Sequence, residues 1–597
     1  MNILGLSFFY HDSAAALVQD GRILGAVQEE RFTRIKFDNR FPTLSVQYLL
    51  CEAGLKPADL DRVVFYENPW KKVGRICSSY ARNFPRDAAM IPNVARAQLG
   101  KKFWIKSVVH RELPGFRGAV SFVDHHISHA ASAFYPSPFT HAAFLTADGV
   151  GEWDTTTWGV ASEKGLEIRK RIDFPHSLGL LYSAFTNFIG FRVNSGEYKL
   201  MGLAPYGEPK YAQTILEKLI DLKPDGSYRL NMEYFDFETG DGMVTEKFAK
   251  LFGRSARQPE SEVTQSDMDL ARSIQEVTEE VLYRLATTVK TETGEQFLCL
   301  AGGVALNCVA NGRLLRSGLF EDIWVQPAAG DAGGALGAAL YYWHSRLGNP
   351  KAAGIRFDPY LGPEYRAEEI KEYLESNYIP YAEHENIALV AARLLSEGKI
   401  LGWFSGRMEY GPRALGNRSI LGHPGLPEMQ KKINLKIKFR ESFRPFAPAV
   451  LEEHSGEWFA GSRRSPYMMF TFPLAAGRRV VVEDRGKFGL EKLNLARSAV
   501  PAITHVDYSA RIQTVSPIDN PKFYELIKEF YELTGIPMVV NTSFNVRGEP
   551  IVCSPHDAYR CFRRTDIDYL ILGNFLIAKE DLPQFSNTLR QNEYALD

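Results

Sequence analysis

Val123-Asp124-His125-His126-Ile127-Ser128-His129-Ala130-Ala131-Ser132-Ala133-Phe134 is the stretch at which strand-like sequence gives way to helix. Ala119-Val-Ser-Phe-Val123 before it is apolar and β-branched, the pattern of a short buried strand, and the Ala-rich run after it favours helix. His125 and His129 stand four apart, on one face of a helix that opens at a strand end, so two imidazoles can converge on one cation. That spacing alone also suits surface or packing histidines. The next segment adds to it: Phe144-Leu-Thr-Ala-Asp148-Gly-Val-Gly-Glu152 reads as a strand ending in an acidic, Gly-rich turn. A second such acid, Asp331 in Ala329-Gly330-Asp331-Ala-Gly333-Gly334, lies far downstream. Two imidazoles and two carboxylates form a mixed N/O shell for a divalent transition metal with open positions. Iron, manganese and zinc all suit it, with iron the first choice.

Toward the N-terminus, Asn2–Phe9, Ala14–Gln19 and Arg22–Val27 read as strands, with Asp20-Gly21 a tight hairpin signal. The first turn carries His11-Asp12-Ser13; a strand, a polar turn and a hairpin in this order open an actin-like nucleotide-binding half, and locally they suit an ordinary strand connection as well. The strand, acidic turn and returning strand at Phe144–Val160 echo Gly5–Asp20, which implies two similar halves around a cleft. Thr43–Ala53 is helical and Asp61–Tyr66 a strand. Glu29–Arg34 reads as a solvated charged edge, and Asn68–Gly118 as a basic, mostly helical stretch, either a substrate-shaping lid or scaffold. Toward the C-terminus, Leu178–Ile189 and Asp267–Thr291 are helices, and Gly196–Gly207 has the composition of a binding loop. Phe297–Ala301 opens on Gly302-Gly303 and a helix from about Ala305 to Arg316, where close backbone approach and a helix N-terminus suit a phosphate. Ile323–Gln326 leads to the Asp331 turn and an Ala/Gly helix to about His344.

With 597 residues the chain exceeds one ordinary core, and at least two domains are expected: residues 1–347, a Gly/Pro-rich linker at 348–364, and residues 365–597. Composition is that of a globular protein, 45% apolar and 24% charged. A net charge of -1 argues against bulk nucleic-acid binding while leaving room for a local basic patch, and no nucleic-acid partner is expected. Six cysteines without metal spacing, no secretory leader pattern and no long charge-free apolar run point to a cytoplasmic chain without a membrane partner.

Beyond the linker the vocabulary changes. Arg407, Arg413 and Arg418 lie in Ser405–Ser419, Lys438 and Arg444 in Lys436–Pro448, Arg511 in His505–Gln513, and Arg547 with Asn541, Ser543 and Asn545 in Asn541–Pro550. These cations sit among Gly, Pro, Ser and Asn at strand ends, as residues that hold a polyanion would. Ser554-Pro555 signals a helix from His556 to Arg564. The charged segment Ala476–Ala502 reads as an extra surface hairpin.

Taken together, His11-Asp12-Ser13-Ala-Ala15, Glu29-Glu-Arg-Phe32, the His125 stretch, Gly196–Gly207, Asp331-Ala-Gly-Gly334, Gly411-Pro-Arg-Ala-Leu-Gly-Asn-Arg418, Arg444-Pro-Phe-Ala-Pro448 and Asn541-Thr-Ser-Phe-Asn545 resemble the carbamoyltransferase family that includes nodulation and antibiotic O-carbamoyltransferases. The resemblance covers essentially the whole chain. It implies an α/β and α+β protein: an N-terminal actin-like domain, that is, a duplicated ribonuclease-H-like fold, followed by a YrdC-like domain. It also implies that carbamoyl phosphate and ATP, with magnesium, form carbamoyl adenylate, and that the carbamoyl group is delivered to a small-molecule alcohol. By the same similarity Lys438, Arg444, Arg511 and Arg547 match adenylate-binding positions. Arg413, Arg418, Asn541, Ser543 and Asn545 join them as candidate binders, as do Asp12, Gly302 and Gly303. His11, at the phosphate-facing turn, is the candidate for general base or for positioning the intermediate, and His125, His129, Asp148 and Asp331 would hold the metal.

Two other readings stand beside this one. An actin-like fold also phosphorylates alcohols, as a sugar kinase does, and it also serves as a non-catalytic nucleotide-dependent clamp. A second domain rich in anion-binding loops disfavours the clamp. Neither the acceptor alcohol nor the oligomeric state carries a signature in the sequence.

Overall fold

The computed structural model describes residues 1–84, 104–238, 242–480 and 486–583. The chain divides into two compact units, Met1–Thr33 with Phe37–Phe357, and Asp358–Asp597 with Arg34–Lys36. The division after Phe357 lies within segment 348–364, whereas nothing in the sequence marks Arg34–Lys36 as part of the second unit.

In the first unit, β1 (Asn2–Ser7), β2 (Ala14–Gln19) and β3 (Arg22–Gln28) form an antiparallel meander, and β4 (Arg62–Phe65) and β5 (Ala119–Phe122) extend it in parallel on the β1 side. The order is β3-β2-β1-β4-β5. The β2–β3 turn has positive φ at both Asp20 (48°) and Gly21 (81°), the two-residue hairpin geometry whose twist matches its strands.

The same plan then repeats. β6 (Ala142–Ala147), β7 (Asp154–Ser162) and β8 (Gly165–Asp173) form a second meander. After a small hairpin of β9 (Ile220–Leu222) and β10 (Tyr228–Leu230), β11 (Phe297–Ala301) and β12 (Asp322–Val325) add in parallel on the β6 side, giving the order β12-β11-β6-β7-β8. Two copies of one meander-plus-parallel-pair sheet are the duplicated ribonuclease-H-like, actin-like architecture expected from the echo between the two acidic turns.

Small residues let the helices close on these sheets. A Cβ on Gly5 in β1 would meet the Ala335 carbonyl oxygen at 1.9 Å, and one on Gly337 would meet that of Ser128 at 1.8 Å. The Asp331–Tyr341 helix therefore lies directly against β1 and against the His125–Phe134 helix, which draws its first residue, Asp331, to the histidines.

The second unit is built on β13 (Ala382–Glu383), β14 (Leu401–Phe404), β15 (Arg418–Gly422) and β16 (Ala447–Leu451), a separate pair β17 (Thr471–Pro473) and β18 (Ser509–Arg511), then β19 (Gln513–Val515), β20 (Met538–Ser543), β21 (Tyr569–Leu572) and β22 (Phe575–Ala578). Eight of these form one mixed sheet in the order β13-β22-β21-β14-β15-β20-β16-β19. The helices Ile387–Ser396 and Pro521–Thr534 cover it, with Leu395, Trp403, Leu421, Phe523, Ile527 and Val539 in one apolar core. Pro555–Arg564 is a helix capped by a reciprocal Ser554–Asp557 capping box, as the Ser-Pro signal implies.

Three expectations are corrected. Glu29, Glu30 and Arg31 are 3%, 6% and 3% exposed rather than solvated. Glu29 caps the Thr43–Glu52 helix through Leu44 N, Ser45 N and Ser45 Oγ at 2.6–3.0 Å, and Glu30 pairs with Arg31. Gly196–Gly207 is mostly helical, Glu197–Leu203 followed by a 3-10 turn, with Lys199 buried. Segment 476–502 is no regular hairpin among the described residues: two 3-10 turns are joined at their base by a bridge between Arg479 and Ser498, and 481–485 lie outside the described residues. Of Asn68–Gly118, the helices Pro69–Arg82 and Ile105–Glu112 are described and 85–103 are not. No helix of the described residues is long and apolar enough to cross a membrane.

Candidate metal centre and anion site

His125 is the first residue of its helix and His129 stands one turn further on, so both rings leave the same face. β6 ends at Ala147 and hands Asp148 to the same point, and Asp331 arrives at the start of the helix that follows β12. His125 Nε2 is 3.1 Å from His129 Nε2 and 3.0 Å from Asp148 Oδ2; His129 Nε2 is 3.2 Å from the same oxygen. Asp331 Oδ1 lies 3.6 Å and 3.7 Å from the two Nε2 atoms, and all four ligand atoms fall within 4.8 Å of one another. Bonds of about 2.1 Å at tetrahedral or octahedral angles put neighbouring ligand atoms about 3.0–3.4 Å apart. The donors fit one divalent ion, and the mixed N/O set suits iron, manganese or zinc. The four residues named from the sequence come together.

Electrostatics agree with this arrangement. Burial disfavours charge on Asp148, yet hydrogen bonds from His125 and His129 hold its carboxyl well below its usual range. Asp331 is lowered against its burial by the neighbouring His11 and His125. Burial opposes the charge on His129 too, but Asp148 and Asp331 lift it to about 9. His126, between the two ligands, faces Thr146 Oγ1 at 2.8 Å through Nδ1 and is pushed well below its ordinary value by burial.

The first turn stands at the edge of this cluster. His11 Nε2 lies 3.8 Å from Asp331 Oδ2, and its Nδ1 lies 3.2 Å from Asp12 Oδ2. Burial opposes its charge, but Asp331 and Asp12 raise His11 to about 10. Asp12 has φ of 53°, and the Ser13 amide and hydroxyl donate to the Asp38 and Arg40 carbonyls, which fixes the turn.

Gly302 and Gly303 behave differently from the expectation of a phosphate-binding helix start. The helix begins at Cys308, capped by Asn307, and the glycines lie in and before a 3-10 turn. Gly303 N donates to Asp148 Oδ1 at 3.0 Å. Two residues of the site escaped the sequence reading. Tyr66 donates to Asp331 Oδ2 at 3.4 Å, and Glu152 accepts from the His125 amide; Glu152 was visible as an acid but not as a partner.

In the second unit the structure brings together Lys438, Ser543, Asn545 and Arg547. Lys438 is 2% exposed, and its Nζ donates to the Ser543 carbonyl oxygen, to Asn545 O at 2.9 Å and to Asn545 Oδ1 at 2.8 Å. Arg547 N donates to Lys438 O at 3.2 Å. Burial, then the nearby Arg440 and Arg444 charges, push the Lys438 ammonium well below its ordinary value. Anionic charge nearby would favour the ammonium again, but the Nζ donors are already spent on Ser543 and Asn545. Arg444 is half-buried near Glu441, at 3.7 Å. Arg511 stands on β18 opposite Thr471, and Arg413 is half-buried in the β14–β15 loop.

Two of the candidate anion binders serve the scaffold. Arg418 is completely buried over the Phe404 ring and gives its guanidinium to the carbonyls of Ser405, Gly406, Asn417 and Pro363 at 2.9–3.0 Å. Asn541 is 1% exposed, and its amide donates to Gln513 Oε1 at 2.8 Å and Ala414 O at 3.3 Å. Charge and turn composition do not distinguish a cation that points outward from one that ties a loop together.

Comparison with known proteins covers both units. The family model described as carbamoyltransferase N-terminus matches residues 2–340, and that described as carbamoyltransferase C-terminus matches residues 392–579. An uncharacterized protein of Synechocystis sp. is 53% identical over 100% of both chains. The nodulation protein NolNO of Sinorhizobium fredii is 38% identical over 96% of this chain and 79% of its own. Among solved structures, HypF of T. kodakarensis aligns at 14% identity over 58% of this chain and 48% of its own, with a TM-score of 0.30.

Proposed function

The chain belongs to the carbamoyltransferase family, and from that premise we propose that it is an ATP-dependent O-carbamoyltransferase acting on a hydroxyl of a small-molecule natural product or sugar. The second unit, in this reading a YrdC-like domain, converts carbamoyl phosphate, water and magnesium-bound ATP to carbamoyl adenylate, pyrophosphate and phosphate: hydrolysis of carbamoyl phosphate leaves carbamate, whose oxygen displaces pyrophosphate from the α-phosphorus of ATP. The first unit transfers the carbamoyl group to the acceptor, releasing AMP as the alcohol loses its proton. The observation that carries the reading is the convergence of His125, His129, Asp148 and Asp331 on one point beside His11.

An ion held by those four residues, iron for preference, would supply a Lewis acid that polarises the carbamoyl carbonyl and orients the acceptor. With Asp331 engaged by an ion, the negative charge that keeps His11 protonated would be offset, and His11, tied to Asp12 through Nδ1, is then the group to take the hydroxyl proton at Nε2. Asp331 and Tyr66 hold that edge of the site in place. In the second unit Lys438, with Arg444, Arg511 and Arg547, neutralises the phosphates of the two substrates.

The test is product analysis. AMP and pyrophosphate should appear only when carbamoyl phosphate, ATP and magnesium are all present, and an acceptor screen over aminoglycosides, sugars, nucleosides, polyketides and small alkaloid alcohols should then yield a carbamate. ADP as the sole nucleotide product, formed without carbamoyl phosphate, would replace this reading with a sugar-kinase-like one. No turnover in any combination would favour a nucleotide-dependent clamp.

A further inference from the structure

We propose that Glu152 is a positioning residue of the metal centre: its buried carboxylate fixes the first turn of the histidine helix and so sets where His125 presents Nε2. The inference rests on reading His125, His129, Asp148 and Asp331 as the ligands. Glu152 is 4% exposed, and both its oxygens accept from His125 N at 3.1 Å, while Oε1 also accepts from Asn68 N at 2.5 Å.

A helix begins with amide donors that have no partner inside it, and a nearby side chain of the residue before the helix usually serves one of them. Here the side chain of Asp124 makes no such bond; its carboxylate pairs instead with Lys71 Nζ at 2.7 Å. The carboxylate at the helix start comes from Glu152, on the same turn that carries Asp148. Two ligands from different elements, His125 and Asp148, are thereby referred to one short loop. Gly151 permits this approach, since a Cβ there would come within 3.0 Å of His125 Cβ.

The backbone hold matters because the ring lacks the usual alternative. A ligating imidazole ordinarily has its second nitrogen pinned by a carboxylate or carbonyl. His125 Nδ1 is buried with no hydrogen-bond partner among the described residues. Its orientation rests on ring contacts with Tyr66, His126 and His129, 5.2, 5.7 and 4.6 Å between centroids, and on the placement of its own main chain. Glu152 controls the second of these. Through Asn68 the same carboxylate also anchors the helix Pro69–Arg82, whose Lys72 Nζ lies 4.8 Å from the Tyr10 ring centroid beside His11.

The experiment titrates metal-free full-length protein with cobalt(II), and separately zinc(II), against a chromophoric chelator. Glu152→Gln keeps the size of the side chain but turns an amide donor toward backbone donors; Glu152→Ala removes the contact. Glu152→Gln should bind cobalt about tenfold or more weakly, with an altered visible spectrum of the bound ion and an unfolding transition close to that of the unsubstituted protein. Wild-type affinity and spectrum in folded Glu152→Gln would overturn the proposal, even if Glu152→Ala fails to fold. A weakening matched in full by the unfolded fraction would overturn it as well. If the unsubstituted protein binds neither ion, the ligand assignment itself falls and the proposal with it; a lack of carbamoyl transfer alone would leave the metal titration decisive.

Discussion

The Gly303 amide donates to Asp148 Oδ1 at 3.0 Å, leaving Oδ2 to face both His125 and His129. A glycine that composition assigns to phosphate binding is thus placed to aim a carboxylate.

Gly303→Ala tests this directly. A Cβ there would stand 2.8 Å from Asp148 Oδ1, so the carboxylate must move by several tenths of an ångström. Metal affinity in a competition titration should fall about tenfold, with little change in unfolding midpoint. Unchanged metal affinity with a raised KM for ATP would return the glycine to phosphate binding.

Substitutions in the two units should separate the two half-reactions. His125→Ala should abolish transfer to the acceptor and leave carbamoyl phosphate-dependent ATP–pyrophosphate exchange largely intact. Lys438→Met or Arg444→Ala should do the reverse, lowering exchange about a hundredfold or more. Equal loss of exchange in folded His125→Ala and Arg444→Ala would mean that one composite site performs both steps.

Metal uptake should release protons. His129 must lose its proton to bind an ion, and in the metal-free protein Asp148 and Asp331, working against burial, raise it to about 9. Below pH 9 the protonated form therefore competes with the metal, and apparent affinity should rise as much as about tenfold per pH unit, levelling above that value. A buffered titration of metal affinity from pH 6 to 10 reads the slope. An affinity independent of pH across that range would contradict His129 as a ligand.

Arg418→Met should act on stability rather than binding. It removes the donor shared by the carbonyls of Ser405, Gly406 and Asn417 and leaves them buried, a loss on the order of 3–5 kcal/mol. Chemical denaturation of the second unit should show it. A normal transition with a markedly raised KM for ATP or carbamoyl phosphate would make Arg418 a ligand-binding residue after all.

Local rules made much of the fold legible. The Asp20-Gly21 hairpin, the period-2 strands around it and its echo at Asp148 disclosed the duplicated sheets, because turn chemistry and strand alternation act over a few residues. His125 and His129 were legible as a pair because a helix turn places them together. Asp148 and Asp331 were legible as acids at strand ends. Hidden from the sequence was whether a charged side chain points inward. Glu29, Glu30, Arg31, Glu152 and Arg418 are all buried, and the groups of Glu152 and Arg418 find partners supplied by elements distant in the chain or by loop backbone that has no residue-specific signature. The same blindness made Gly196–Gly207 look like a loop.

The separation of the four ligands along the chain has a consequence for biosynthesis. His125, His129 and Asp148 leave the ribosome within one short interval, but Asp331 follows only after the long helix Gln265–Thr293 and strands β11 and β12. A growing chain can offer an incomplete set of donors well before it can offer all four, and an ion captured then would be held weakly and exchange freely. Tight capture awaits the last strand of the second sheet and the Asp331–Tyr341 helix. From that moment the ion would bridge the ends of a very long loop and stabilise the finished fold over any partly assembled one. Were an ion held there, its retention would report that the duplicated domain has been completed, and the choice among competing ions would fall after synthesis of this unit rather than during it.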